Sequence, residues 1–346
     1  MLFDLPPLAE LPALPFDTVI DTRSPAEYAE DHVPGAINLP VLSNEERARV
    51  GMIYKQESPF RARKVGGALV ARNIAAHLEG PLAAHDGGWR PLVYCWRGGQ
   101  RSGAFTTWLR EVGWRAERLR GGYQSYRRAV VAQLYDTPLH HRLVLLDGFT
   151  GTAKTELLHL VAARGGQVLD LEGLANHRGS VLGHRPGGQP SQKMFETRLS
   201  AALTALDPGW PVLVEAESSK IGARFLPPAL WKAMGRAPRL RLTADPAERA
   251  RYLVDTYADL FAEPARFADH LGQLVRLQGH ERVRHWQALL AAGAHRQLVG
   301  ELIAHHYDPR YARARRDAAA PEAEFAITLD ADGLARAADA ITARLA

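Results

Sequence analysis

Two periodicities alternate along the chain. Short apolar runs closed by turn-forming residues recur at "FDTVIDTRS", "GAINLPV", "RPLVYCW" and "ERLRGGYQSY" before position 137. Between them, apolar residues return every three or four positions, as in 67–79, "GALVARNIAAHLE", and 103–112, "GAFTTWLREV". The short runs read as strands and the longer stretches as helices, so their interleaving predicts a parallel α/β sheet. "YDTPLHH" at 135–141 reads as a boundary, and a fresh strand, "RLVLLDG", follows it. Next come a glycine-containing turn, a helix over 154–164, and strands at "GQVLDLEG", "PVLVEAES" and "PRLRLTAD", which predict a second α/β unit. After Asp245 the pattern is mainly helical, through "PAERARYLVDTYADLF" and "DHLGQLVRLQGHERVRHWQALLAAG". "FAITLDAD" predicts a last strand and "GLARAADAITARLA" a closing helix. The expected divisions are 1–137, 141–245 and 246–346, the last packed on the second.

Composition narrows the class. A chain of 346 residues can bury two or three cores, and 46% hydrophobic with 23% charged residues is ordinary for a globular protein. No window approaches the run of about 18 apolar residues that a membrane helix needs. The opening "MLFDLPPLAELPALPFD" lacks a positive start and is broken by prolines, so it does not read as a secretory signal. One cysteine cannot form an internal disulfide, which fits a reducing cytoplasm. A net charge of +5 permits a nucleic-acid partner without requiring one. Six lysines against 37 arginines make a lysine inside a motif a sign that a compact ammonium is needed there. The sequence is silent on oligomeric state, and a monomer is the default expectation.

The lone cysteine lies in "YCWRGGQRSG", 94–103. The pattern puts Cys95 at the carboxyl end of the strand "PLVYC", with a helix starting near Gly103. Trp96, Arg97, Gly98, Gly99, Gln100, Arg101 and Ser102 must then turn sharply, and the glycines let the amides converge on one point. Such amides at a helix start form an anion nest that favours an anionic sulfur and stabilises a persulfide, perselenide or oxyanion. A lone cysteine is most often a small buried hydrophobe. Strand end, glycine turn, arginines and helix start together favour a nucleophile, with Arg101 as its catalytic partner. The spacing Cys-x5-Arg-Ser also fits a cysteine-dependent phosphatase, which stays open at this point.

"LLDGFTGTAKTELL", 145–158, is a phosphate loop with one departure: Ala153 stands where a strict Walker A loop has glycine. Gly148, Thr150, Gly151, Thr152 and Ala153 would wrap a diphosphate, Lys154 would reach its terminal oxygens, and Thr155 could bind Mg²⁺. No ATPase-like acidic pair follows a strand, although Glu215, Glu217, Asp170 and Glu172 each sit just beyond one. A site that holds a diphosphate without hydrolysing a nucleotide fits this pattern. The glycine-rich stretch "NHRGSVLGHRPGGQPSQK" offers His177, Arg178, His184, Arg185, Gln192 and Lys193 as a cationic loop over that site, with Ser218 beside Glu217 as a further candidate. "RVRHWQ" (282–287) and "RYARARR" (310–316) mix cations with aromatics, a pattern suited to RNA phosphates and bases.

"VIDTRSPAEYAEDHVPGAINLP" (19–40) with "VYCWRGGQRSG" (93–103) resembles a rhodanese domain, whose loop cysteine carries sulfur or selenium. Joined to a phosphate loop, and with "DLEGLANHRGSVLG" (170–183), "QPSQKMFE" (189–196), "VEAESSKIG" (214–222) and "HHYDPRY" (305–311), the chain resembles the tRNA 2-selenouridine synthase family. The resemblance implies an α/β fold: an N-terminal rhodanese-like parallel-sheet domain, then a P-loop NTPase-like α/β domain with a mainly helical C-terminal part. It implies a transferase acting on the wobble uridine of tRNA. Geranyl diphosphate would alkylate the 2-thio group, and selenium from selenophosphate, carried on Cys95 as a perselenide, would then replace it. Both are co-substrates, and no permanently bound cofactor is expected. A sulfurtransferase or a cysteine phosphatase fused to a kinase-like P-loop domain is the alternative.

Overall fold

The computed structural model describes residues 1–179, 183, 185–314 (backbone only at 314) and 319–346. His184, Arg315 and Arg316, expected above in cationic segments, lie outside the described residues. The chain forms two compact units: Met1–Leu139 with Pro190–Ala205 and Pro227–Ala229, and His140–Gln189 with Leu206–Leu226 and Leu230–Ala346.

In the first unit, strands β1 (Leu2–Phe3), β2 (Thr18–Asp21), β3 (Ile37–Asn38), β4 (Pro91–Tyr94) and β5 (Glu117–Leu119) form a wholly parallel sheet in the order β1-β5-β4-β2-β3. β4 is central and buried at all four positions, which is why its sequence is an unbroken apolar run. Helices α1 (Pro25–Glu30), α2 (Asn44–Gln56), α3 (Pro59–Glu79), α4 (Gln100–Val112) and α5 (Tyr123–Val131) connect the strands. Ile20, Val93, Phe105, Leu109, Trp89 and Trp114 form the core. The N-cap pair Ser58–Pro59 starts α3 eight residues before the expected 67, and α4 begins at Gln100 rather than near Gly103. Consequently Gln100, Arg101 and Ser102 are the first turn of a helix, not loop.

In the second unit, β6 (Arg142–Gly148), β7 (Gln167–Leu169), β8 (Pro211–Glu215), β11 (Arg239–Thr243) and β12 (Ala323–Ala326) form another parallel sheet, ordered β12-β11-β6-β8-β7. β9 (Lys220–Ile221) and β10 (Arg224–Phe225) pair as a small antiparallel ribbon. Helix α6 (Lys154–Ala163) follows β6, and α7 (Leu171–Ala175) follows β7. Next in sequence, α8 (Gln192–Ala205) belongs to the first unit, where its Glu196 meets Arg127 and Tyr135. α9 (Pro228–Met234) leads to β11.

After β11 come α10 (Pro246–Thr256), α11 (Ala258–Phe261), α12 (Pro264–Gly272), α13 (Val275–Gln278), α14 (His280–Ala291), α15 (His295–Leu302) and α16 (Asp308–Ala314). They enclose their own core of Phe267, Leu271, Trp286, Leu298 and Leu302. The C-terminal part is not helical throughout, because β12 adds an edge to the second sheet. Its closing helix α17 (Ala331–Leu345) then buries Ala338 and Ile341 against Leu157 and Val161 of α6. Among the described residues no helix is long and apolar enough to cross a membrane.

Candidate active sites

Cys95 is 3% exposed and sits immediately after β4, at the start of α4. The Gly99 amide donates to its Sγ at 3.2 Å, and the Ser102 hydroxyl lies 3.1 Å from the same sulfur. Both donors come from the helix start, where the backbone dipole also favours negative charge. Gly98 has φ +65°, and a Cβ there would stand 2.7 Å from the Leu119 carbonyl. Only glycine lets the loop lie this close to the turn after β5. The start of α5 braces the other side: the Tyr123 and Gln124 amides donate to the Cys95 and Trp96 carbonyls at 2.9 and 3.0 Å. The loop is thus held from two helix starts, and the α4 start alone presents donors to the sulfur.

The arginines do not converge on the sulfur as the sequence suggested. Arg101 donates to Glu27 at 2.8 Å, and Arg47 pairs with the same carboxylate at 3.0 Å. Burial raises the Glu27 carboxyl pKa, but the Arg101 hydrogen bond and charge outweigh it and leave it lowered. Arg101 therefore fixes α1 to α4. Arg97, Gly99 and Gln100 are exposed, and half-buried Trp96 packs its ring 5.4 Å from that of Tyr123. The "DTR" of the first signature is scaffold: Arg23, 1% exposed, forks onto Asp21 and lies over Tyr123 at 3.9 Å.

In the second unit the phosphate loop links β6 to α6. Ala153, its departure from the strict motif, adopts φ +54°, ψ 30°, the left-handed conformation that glycine takes at little cost. Gly148 has no room for a Cβ, which would meet Thr152 Oγ1 at 2.4 Å. Lys154 Nζ donates to the Gly148 and Phe149 carbonyls at 2.9 and 3.3 Å, so the ammonium already stands in the loop. Buried Thr152 donates to the Phe149 carbonyl, and the Thr150 carbonyl accepts from Arg249 at 2.9 Å. The loop opens on a cavity of about 300 Å³ that Arg178, Arg185, Tyr252 and Tyr311 also line. Adjoining it at Thr150, Leu253 and Tyr257 is a narrow apolar hollow of about 30 Å³, walled further by Phe261, Phe267 and Val299.

Three carboxylates face the end of this loop. Oxygens of Glu172, Glu215 and Glu217 lie within 4.8 Å of one another. Thr155 Oγ1 donates to Glu215 at 2.6 Å and stands 3.3 Å from Glu172. Gly179 (φ +66°) covers them, since a Cβ there would lie 2.3 Å from Glu172 and 3.0 Å from Glu217. Burial, then the charges of Glu215 and Glu217, pushes the Glu172 carboxyl up to about 9. Burial, then Glu217, raises Glu215 to about 7, and burial also raises Glu217. Glu215 is 1% exposed, and its Oε2 has no hydrogen-bond partner among the described residues. A hard-oxygen set with a buried acceptor left over suits a divalent cation such as Mg²⁺. Bound there, it would screen the carboxylates and supply positive charge beside the diphosphate.

The remaining candidates separate. Arg178 lines the phosphate cavity, paired with Asp259 at 3.1 Å and lying over the Tyr257 ring. His177 is buried and accepts from the Gly179 amide at 3.1 Å, so it shapes the loop rather than offering a surface cation. Gln192 and Lys193 fall in the first unit on α8, where Lys193 pairs with Glu30 at 2.7 Å. Ser218 is exposed and turns onto the Lys220 carbonyl at 2.6 Å. The sequence reading passed over Arg249, which lies in an ordinary-looking basic helix. Of the four strand-end acids read from the sequence, Glu172 stands with Glu215 and Glu217, while Asp170 caps α7.

A cysteine in a preset amide nest in a rhodanese-like parallel-sheet unit, and a phosphate loop in a P-loop-like unit, give this α/β protein two candidate sites. A family profile described as "tRNA 2-selenouridine synthase AAA domain" matches residues 141–325, and one described as "Rhodanese-like domain" matches 8–129. Curated relatives called tRNA 2-selenouridine synthase include one from Hahella chejuensis, 36% identical over 85% of this chain and 84% of its own length. Others from Bordetella bronchiseptica and Alcanivorax borkumensis are 35% and 33% identical, over 87% and 85% of this chain and 89% and 88% of theirs. The chain belongs to the tRNA 2-selenouridine synthase family.

Proposed function

We propose that the protein converts 2-thiouridine at the wobble position of tRNA to 2-selenouridine in two transfers, in a reducing cytoplasm. In the first, the C2 sulfur attacks C1 of geranyl diphosphate. The C–S bond forms as the C1–O bond breaks, diphosphate departs, and the base releases its N3 proton. Lys154 and the loop amides offset the charge growing on the leaving group. In the second, selenium attacks C2 and geranylthiolate leaves, a far better leaving group than the original thiocarbonyl sulfur.

Cys95 carries the selenium as a perselenide, with Gly99 and Ser102 donating to the anion. Selenophosphate supplies selenium at the selenide level. The S–Se bond therefore forms with a two-electron oxidant, by class a disulfide, and opens after transfer with a thiol reductant. Direct attack by selenide would need neither, and dependence on a thiol–disulfide couple separates the two routes.

The observation that carries this reading is the cavity of about 300 Å³ on which the phosphate loop opens, where Lys154 and the loop amides face Tyr252, Leu253, Tyr257 and Tyr311. A prenyl diphosphate needs phosphate donors and an apolar wall side by side, and both are present. The phosphatase alternative loses support because Arg101, its expected phosphate ligand, is held by Glu27. The test gives purified protein 2-thiouridine tRNA, geranyl diphosphate, selenophosphate and a thiol–disulfide buffer, and reads nucleosides by mass spectrometry. Geranylated product accumulating with Cys95→Ser and absent with Lys154→Ala is expected. Absence of both modified uridines with the unaltered protein would sink the reading.

A further inference from the structure

Positive charge is dense along α2 and α3, whose acids other than Glu57, namely Glu45, Glu46 and Glu79, stand at the outer ends of the pair. Residues 47–72, spanning most of α2 and α3, hold Arg47, Arg49, Lys55, Arg61, Arg63, Lys64 and Arg72 against a single acid, Glu57. That stretch alone exceeds the +5 net charge of the whole chain. All seven cations are exposed. Arg47 and Arg61 pair with Glu27 and Glu57, whereas Arg49, Lys55, Arg63, Lys64 and Arg72 have no carboxylate partner among the described residues. A solvated helix normally alternates signs along its face; this one does not.

The shape is as specific as the charge. α2, α3 and the start of α4 enclose an open groove of about 1070 Å³ within the first unit, just above the usual size of a small-molecule pocket, about 300–1,000 Å³. Lys55, Arg63 and Tyr54 line it, and it ends on Gln100 and Arg101, the helix turn that presents donors to Cys95. Leu42, Val50 and Val70 give it an apolar lining. Tyr54 is 57% exposed and Phe60 71% exposed, which costs solvation unless something flat and apolar covers them. Unpaired cations around exposed aromatic rings form the surface that binds single-stranded nucleic acid, with phosphates on the cations and bases on the rings.

We propose that this groove holds the single-stranded loop of the RNA substrate. Lys55 and Arg63 meet its phosphates within the groove, Lys64 takes a flanking phosphate from the adjoining face of α3 that it shares with Phe60, Tyr54 stacks under an unpaired base, and the next nucleotide is delivered to the Cys95 loop. The inference rests on the reading that the substrate is a tRNA, and it assigns the surface that takes it. The basic runs at 282–287 and 310–316 are then secondary contacts.

The test titrates a fluorescent tRNA bearing 2-thiouridine into the full chain, from about 50 to about 200 mM salt, and compares Lys55→Gln/Arg63→Gln/Lys64→Gln with the unaltered protein. Each lost phosphate contact lowers the log–log salt slope by about 0.7 on single-stranded RNA, so the triple variant should lose about 2 in slope. Tyr54→Ala should weaken binding about tenfold at fixed salt with its slope unchanged, and Tyr54→Phe should restore it. Thermal unfolding followed by circular dichroism should be unaltered in every variant, which shows that each is folded, and diphosphate binding at the P-loop of the second unit should be unaltered too. A triple variant with the tRNA affinity and slope of the unaltered protein would overturn the proposal while leaving the proposed function intact. The same outcome with altered selenium transfer would mark the patch as a dock for an acidic donor protein instead. Failure of the unaltered protein to bind tRNA would instead overturn the functional reading itself.

Discussion

Arg249 and Asp308 are joined by two hydrogen bonds, of 2.9 and 2.6 Å, and the third face of the same guanidinium donates to the Thr150 carbonyl at 2.9 Å. Arg249 is 2% exposed and lies over the Phe149 ring. Through this one side chain, the helical C-terminal part fixes the phosphate loop. Asp308→Ala leaves the buried guanidinium without its counter-charge, at a cost of about 3 kcal/mol. Urea unfolding should show that loss, and calorimetry should show diphosphate binding weakened more than tenfold. Asp308→Asn, which keeps one acceptor, should recover part of both. Unchanged diphosphate affinity in Asp308→Ala would mean that the loop holds its shape without Arg249.

This contact also shows where the sequence stopped being informative. "HHYDPRY" stood out as a stretch, but nothing in it announced that Asp308 would meet a residue 59 positions earlier, because an ion pair between two helices leaves no periodicity. The cysteine and phosphate loops were legible because strand, glycine turn and helix are local features. Glycine-rich 176–193 read as one cationic loop over the phosphate site, yet the chain changes unit at 189–190, so Arg178 lines the phosphate cavity and Lys193 pairs with Glu30 in the first unit. Arg101 was misread for a related reason. Sequence proximity to Cys95 suggested charge on the sulfur, but a helix starting at Gln100 turns the side chain toward Glu27 on α1. The α2–α3 patch was missed because its cations spread over two helices, and no short motif contains them.

Ser102 is the only side-chain donor to Cys95 among the described residues. Its replacement by alanine removes one of two preset hydrogen bonds to the sulfur. Loss of a single preorganised donor to a developing anion costs about 10²-fold or more in rate. In Ser102→Ala, selenation of pre-geranylated tRNA should fall by about that factor, with geranylation unchanged. Ser102→Thr keeps the hydroxyl and should retain most of the rate. Equal losses in both steps would point to a folding defect, and no loss in either would remove Ser102 from the chemistry.

Ala153 holds a left-handed conformation that costs an L-residue about 1 kcal/mol relative to glycine. Ala153→Gly relieves that strain but removes a methyl group buried in the core of the second unit, worth about 0.8 kcal/mol, so the two effects nearly cancel and stability should change by less than about 0.5 kcal/mol. The same relief should tighten diphosphate binding, because the loop no longer works against strain when it closes on the anion. Thermal unfolding with and without diphosphate measures both. An Ala153→Gly protein destabilised by more than that would show that the loop gains more from a stiff residue than it loses in strain.

Glu172, Glu215 and Glu217 form an acid trio at the end of the phosphate loop. Glu172, raised to about 9, and Glu215, raised to about 7, hold protons in the folded chain at pH values where the unfolded chain has released them. The folded state binds more protons between the usual carboxylate range and about 9, so the trio makes stability fall as pH rises through that window. Glu215→Gln removes one of the mutually repelling charges and should flatten this fall. A divalent cation would bind the deprotonated trio, so its stabilising effect would grow with pH and its binding would release protons. Excess Mg²⁺ should raise the melting temperature clearly at about pH 8.5 and little at about pH 5.5, with the effect reduced in Glu215→Gln. Melting curves at both values, with and without Mg²⁺, decide the matter. A cation effect independent of pH, or unchanged in Glu215→Gln, would place the ion elsewhere and leave Glu215 as a buried acid that keeps its proton.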